Sequence, residues 1–220
     1  MRVALIAGAT GLVGKACLYA LLENKAYTRI IALVRKPLAI KHHKLHQVIV
    51  DFENLNQAAS EMMADDVYCC LGTTIKVAGS QENFKKVDYH YPIELAKIGL
   101  QNGATRFMVV SAMGANPQSA IFYNKTKGEM ETAMKQLSYH FIGIFQPSLL
   151  LGDRKELRVG ELIGKAVMKG LGFLFLGPLK KYKAIQAVVV AKAMITMALG
   201  NLEGIHTYQN DNIFEIEASK

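Results

Sequence analysis

Ile6-Ala7-Gly8-Ala9-Thr10-Gly11-Leu12-Val13-Gly14-Lys15 decides the fold. An apolar run at 3–7 reads as a strand and leads into it, and helical spacing at 15–22 follows. A strand that breaks into glycines and reopens as a helix is the first unit of a nucleotide-binding βαβ array. Gly8 allows the tight turn, Gly11 lets backbone approach a pyrophosphate, and Gly14 lets the helix pack on the strand. The helix N-terminus then turns its N–H groups and positive dipole end toward the phosphates. The spacing is Gly-x-x-Gly-x-x-Gly rather than Gly-x-Gly-x-x-Gly, so the loop takes its weight from its surroundings.

Further apolar runs lie at 29–34, 47–52, 67–71, 106–110 and 141–145, alternating with helical patterns at 55–63, 83–102 and 123–137. Pro92 must sit near the start of its helix or at a kink. Strands alternating with helices imply right-handed crossovers and a parallel sheet. Near-continuous apolar strands suit a sheet buried on both faces. The expected fold is α/β, a Rossmann-type doubly wound parallel sheet in a single domain, 1–220. Beyond Pro147 the pattern loosens into helices at 159–169 and 188–199 and a short strand at 206–209. Residues 150–220 are read as a small, mainly helical substrate-side extension.

The 220 residues are 51% hydrophobic and 20% charged, enough for a full core, with no repeat or low-complexity linker. The formal charge of +8 suits an anionic cofactor or substrate as well as nucleic acid or a membrane surface. The cations are scattered and no nucleic-acid motif accompanies them, so the expected partner is a small molecule and no specific nucleic acid. No apolar stretch reaches the ~20 residues of a membrane span. The segment 165–183, with Phe173-Leu174-Phe175-Leu176 among lysines, permits peripheral membrane contact, although a cleft lining or an oligomer contact is favoured. Cys17, Cys69 and Cys70 form no metal or disulfide pattern; adjacent Cys69 and Cys70 should point to opposite faces of a strand. A reducing cytoplasm without a secretory leader is expected. His42, His43 and His46 lack partners at ligand spacing, and no metal is expected.

The chemistry gathers elsewhere. Tyr123 and Lys127 are one helical turn apart, so both project from one face. A phenol titrates near ~10, too high for efficient acid/base work at neutral pH, and a neighbouring ammonium favours its phenolate. Ser111 ends the strand 106–110, where its hydroxyl could donate to a carbonyl oxygen gaining negative charge. At the end of the second strand stand Arg35 and Lys36, where an NAD site has an acidic ribose ligand. Two cations suit a 2′-phosphate, so NADPH (NADP) is the expected cofactor. Asp51 and Phe52 end the third run near the adenine; Leu71, Gly72 and Thr73 end the fourth and should border the ribose or nicotinamide.

Together the glycine loop, Ser111 and Tyr123-x-x-x-Lys127 resemble a short-chain dehydrogenase/reductase, and in particular the atypical branch that holds the Tat-interacting oxidoreductases. The strings that carry the likeness are Val50-Asp51-Phe52-Glu53-Asn54-Leu55, Cys69-Cys70-Leu71-Gly72-Thr73-Thr74, Val87-Asp88, Ser111-Ala112-Met113-Gly114-Ala115, Lys127-Gly128-Glu129-Met130-Glu131 and Gly152-Asp153-Arg154-Lys155-Glu156. The resemblance implies NADPH binding, with Tyr123 as proton donor or acceptor, Lys127 as pKa tuner and ribose ligand, and Ser111 as carbonyl orienter. It implies cofactor contacts from Thr10, Gly11, Leu12, Val13, Arg35, Leu71 and Gly72, beside Gly8 and Lys36 read above from the loop and the strand end. It implies that Pro147, Leu149 and Leu150 pass the nicotinamide amide, and that Arg154 reaches back to cofactor or substrate. The chain departs at Gln146, where many relatives have arginine. The resemblance does not extend to the large substrate domain of the sugar-nucleotide epimerases, so a nucleotide-sugar is not expected. The favoured activity is hydride transfer to a small carbonyl substrate with Tyr123 as acid/base. The alternative is an NADPH-binding redox-sensing or regulatory protein that acts through a protein partner. Specificity should lie in 116–122 and 154–182, and the chain should be a monomer or homodimer.

Overall fold

A computed structural model describes residues 2–152 and 183–218. In chain order the elements are β1 (Arg2–Ala7), α1 (Leu12–Glu23), β2 (Tyr27–Val34), β3 (Leu45–Ile49), a 3-10 helix (Phe52–Glu61) and β4 (Asp66–Cys69). There follow α2 (Ile75–Ala78), α3 (Gln81–Lys85), a π-helical turn (Lys86–His90), α4 (Tyr91–Gln101), β5 (Arg106–Val110), α5 (Phe122–Met134) and β6 (Phe141–Gln146). The last are β7 (Leu150–Leu151), β8 (Ile185–Gln186), α6 (Ala187–Leu199), β9 (Gly204–Gln209) and α7 (Asn210–Ala218). Seven strands form one parallel sheet in the order β3-β2-β1-β4-β5-β6-β9, and β7 pairs with β8 in a small parallel ladder. The order reverses between β1 and β4. In such sheets the crevice beyond the carboxyl ends of the strands at that point is where a ligand binds.

Both faces of the sheet are covered, as the unbroken apolar strands require. Alternate strand residues Ala4, Ile6, Ile30, Ala32 and Tyr68 face α1 and α6; Leu5, Ala7, Ile31, Leu33 and Val67 face α4, α5 and the 3-10 helix. Cys69 joins the second core and Cys70 packs on the first, as their adjacency predicted. Burial pushes the Cys69 thiol up to about 12, and a hydrogen bond with Cys17, reinforced by burial, raises that of Cys70, so neither is a thiolate nucleophile.

Several boundaries differ from the sequence reading. The third run ends as a strand at Ile49, because Asp51 caps the following segment: its Oδ1 accepts from Glu53 N at 3.0 Å and its Oδ2 from Asn54 Nδ2 at 2.7 Å. That segment is a 3-10 helix, broken by non-helical backbone at Asn54, not the expected α-helix. The helix expected over 83–102 is divided by the π-turn, with Pro92 in the first turn of α4. Proline has no N–H to give, and the wider turn meets that gap. Helix α6 and strand β9 lie close to their expected places. α7 and the β7–β8 ladder were not foreseen, and the helix read at 159–169 lies outside the described residues.

Candidate functional site

The glycine loop leaves β1 at Gly8, whose φ is +86°. A Cβ there would lie 2.4 Å from the Cys70 carbonyl oxygen, so β1 and the end of β4 approach as only glycine permits. At Gly14 a Cβ would stand 2.0 Å from the Gly8 oxygen, which closes α1 onto the loop. Thr10 and Gly11 are exposed, Leu12 is half-buried, and Val13 is buried in the core. The N-terminus of α1 has no side-chain cap and no acidic residue in its first turn. Its free N–H groups and dipole therefore remain available to an anion. Gly152 comes back against this loop: its Cβ would meet Leu12 Cδ2 at 2.8 Å.

Arg35 and Lys36 are exposed just past β2. Phe52 is buried, its ring 5.7 Å from that of Tyr91. The Tyr91 hydroxyl donates to Glu53 Oε1 at 2.7 Å, and Lys86 Nζ does so at 3.2 Å. Burial and then Glu53 push Tyr91 up to about 12. Asp51 serves its own cap, and its hydrogen bonds from Asn54 and Glu53 hold the carboxyl below its ordinary value.

At the other end of the cleft, α5 carries Tyr123, Lys127 and Glu131 at successive turns, and all three lie along one face. Tyr123 is half-buried, its ring 5.6 Å from that of fully buried Phe84. Lys127 and Asp88 are 3% and 1% exposed, with Nζ and Oδ1 2.8 Å apart. The approach to Oδ1 is too oblique for a directed hydrogen bond, so the contact is chiefly Coulombic. Asp88 Oδ2 accepts from Thr73 N at 2.8 Å. Burial works against the Lys127 ammonium, but Asp88 and Tyr123 outweigh it and hold the lysine above its ordinary value. Gly72 lies directly over this pair: a Cβ there would be 3.4 Å from Asp88 Oδ1 and 3.9 Å from Lys127 Nζ. Gly72 and Thr73, just after Leu71, thus lie against the Asp88–Lys127 pair.

Ser111 is fastened to the same helix. Its Oγ donates to Glu131 Oε1, and its N donates to Phe145 O at 2.7 Å. Pro147 O accepts from Met113 N at 3.1 Å, Leu149 O accepts from Ile185 N at 2.9 Å, and Leu150 begins β7, so this segment runs beside the Ser111 loop. Gly128 lets the backbone of 116–117 rest on α5: a Cβ would fall 2.2 Å from Asn116 C. Arg154 and nearly all of 165–183 lie outside the described residues. Asp88, Glu131 and Gln146 had no site role in the sequence reading. The spacing of Glu131, four residues past Lys127, was the available signal; nothing local announced that Asp88 turns inward.

Among the described residues no cluster of His, Cys, Asp and Glu could hold a metal, and no helix is long and apolar enough to cross a membrane. The family model described as NAD(P)H-binding matches residues 8–142. Protein HTATIP2 of Rattus norvegicus is 32% identical over 194 residues, 86% of this chain and 78% of that protein. The mitochondrial protein FMP52 of Candida albicans is 32% identical over 206 residues, 90% and 89% of the two chains. Among solved structures, the Bordetella bronchiseptica enzyme WbmH in complex with NAD+ superposes with a TM-score of 0.72 at 14% identity, over all of this chain and 80% of that one. MoeE5 in complex with UDP-glucose and NAD does so with a TM-score of 0.70 at 14% identity, over 98% and 81%. Those two share the fold. The uncapped α1 terminus and the bare Gly72 backbone fit a dinucleotide, and with the sequence relatives they lead to one conclusion: the chain belongs to the NAD(P)H-binding family, as an atypical short-chain dehydrogenase/reductase akin to HTATIP2.

Proposed function

We propose that the protein is an NADPH-dependent oxidoreductase that reduces a small carbonyl compound to its alcohol, with Tyr123 as the acid. The observation that carries this reading is the α5 face, where Tyr123 stands one turn from a buried, charge-paired Lys127. When bound, NADPH supplies the hydride. The glycine loop and α1 terminus hold the pyrophosphate; Arg35 and Lys36, both exposed beside β2, take the 2′-phosphate. The Lys127 ammonium, paired with Asp88, stands one helical turn from Tyr123, which hands its proton to the substrate oxygen. The 116–122 loop on α5 closes the substrate side. We place the protein in a reducing cytoplasm on the strength of three free thiols; the mitochondrial name of the FMP52 relatives makes cell fractionation the check.

NADPH oxidation across a panel of aldehydes and ketones, wild type beside Tyr123→Phe, tests the activity. Loss of turnover in the variant supports it, and equal turnover contradicts it. A second reading, an NADPH-responsive regulator, draws on Lys127 and Ser111 already having partners inside the protein. It predicts a protein partner whose affinity changes with NADPH and no metabolite that is turned over.

A further inference from the structure

A serine hydroxyl has one proton, and in this site that proton is committed. Ser111 Oγ donates to Glu131 Oε1, and both residues are only 5% exposed. The carboxylate also accepts from Gln146 Nε2, at 2.9 Å to Oε1 and 3.0 Å to Oε2. Turning the Gln146 amide over would set its oxygen against both carboxylate oxygens, so the neighbours fix its orientation. Among the described residues Glu131 is held by these neutral donors alone, since the Lys127 ammonium is spent on Asp88. An oxygen that has given up its proton offers only lone pairs to anything else. A carbonyl oxygen likewise offers only lone pairs, whereas a hydroxyl brings a proton.

We propose that Glu131, itself held by Gln146, is a positioning residue that commits the Ser111 proton, so that Ser111 faces the cleft as a hydrogen-bond acceptor and selects the alcohol member of the carbonyl/alcohol pair. The proposal rests on the oxidoreductase reading and revises one part of it. Tyr123 alone donates to the carbonyl oxygen, and Ser111 engages the substrate oxygen once it bears a proton. Gln146 matters because its uncharged amide fixes Glu131 without introducing a cation beside Ser111.

Neutron diffraction from the deuterated, full-length protein locates the Ser111 deuteron whether or not any substrate is turned over. A deuteron on the line from Oγ to Glu131 is expected; one aimed into the cleft overturns the proposal. Failure of the oxidoreductase reading would show separately, as no NADPH oxidation with any member of the carbonyl panel. For a pair that is turned over, Glu131→Met frees the Ser111 proton. The alcohol KM should then rise and the carbonyl KM fall, each about fivefold for one hydrogen bond, with NADPH affinity unchanged. Glu131→Gln keeps an acceptor and should restore the wild-type KM ratio. An unchanged ratio in Glu131→Met, or a shift that persists in a Ser111→Ala background, overturns the proposal.

Discussion

Asp88 shows how one side chain can set the chemistry of a helix it does not belong to. It lies on the π-turn, reaches Lys127 on α5, and fixes the Thr73 amide in the loop that follows β4. Removing one partner of a buried ion pair leaves the other charge uncompensated, at a cost of about 3–5 kcal/mol. Asp88→Ala should lose that much in urea denaturation, while the double variant Asp88→Ala/Lys127→Met should recover part of it; a double variant as unstable as the two losses combined would mean the pair does not interact. The sequence showed Tyr123, Lys127 and Ser111 because their spacing and strand-end position carry meaning on their own. Asp88 was hidden because its inward aim depends on a turn that widens where Pro92 cannot donate. Glu131 was half visible, standing on the Lys127 stripe, but its contact with Ser111 spans twenty residues.

Among the elements, the β1–α1 junction has the least freedom. Gly14→Ala would drive a methyl group against the Gly8 carbonyl, a backbone atom with nowhere to go. Gly11 is different, since its Cβ would meet the Gly8 oxygen at an ordinary 3.5 Å and its φ is −75°. Gly14→Ala should therefore lower the melting temperature and abolish NADPH binding together, whereas Gly11→Ala should fold normally and lose affinity alone. Thermal unfolding and NADPH fluorescence titration separate the two, and a normally folded, NADPH-binding Gly14→Ala would contradict the packing argument. At the end of β2, Arg35→Ser with Lys36→Ser should weaken NADPH at least ~10-fold while leaving NADH nearly unchanged, since an exposed cation acts on the 2′-phosphate alone. Equal losses for the two cofactors would remove the 2′-phosphate assignment. This junction was legible because glycine spacing, strand and helix all agree there. The third run was misread at its end because Asp51, a capping side chain, halts an apolar pattern that continues to Phe52.

The whole molecule divides its polar work between opposite ends of the sheet. At the carboxyl ends lies the cleft; at the amino ends Asp66 is fully buried, 2.5 Å from Arg2 Nη2 and accepting from Tyr27 OH at 2.7 Å. Tyr27 OH also shares a 2.7 Å hydrogen bond with Tyr68 OH, and burial raises both phenols far above their ordinary value. The two influences on Asp66 oppose one another, and burial wins: it pushes the carboxyl up to about 6, with Tyr27 and Arg2 only partly resisting. A carboxyl raised in the folded state stabilises it below the unfolded value near 4, and that contribution fades as pH climbs through about 6. Asp66→Asn removes the titration. Relative to wild type, the variant should gain on the order of 2–3 kcal/mol between pH 4 and pH 7.5 in denaturant unfolding. A gap between the two proteins that stays constant with pH would contradict it. That the sheet is parallel followed from strands alternating with helices as far as β6; the strand order did not. Helix α6 and strand β9 were legible too; the β7–β8 ladder was not, because two-residue strands carry no period, and α7 was not, because it follows β9 without a break.

The proposed activity is the transfer of a hydride from NADPH and a proton from Tyr123 onto one carbonyl group. NADPH deuterated at the transferable position, incubated with the carbonyl compounds of the panel, tests it by mass spectrometry of the products. One carbon-bound deuterium is expected in the alcohol formed by wild type, with label transfer by Tyr123→Phe about 10²–10⁴-fold slower, the range for loss of a general acid. Wild-type protein that binds NADPH but transfers no label to any carbonyl, or Tyr123→Phe that transfers it at the wild-type rate, would contradict the account.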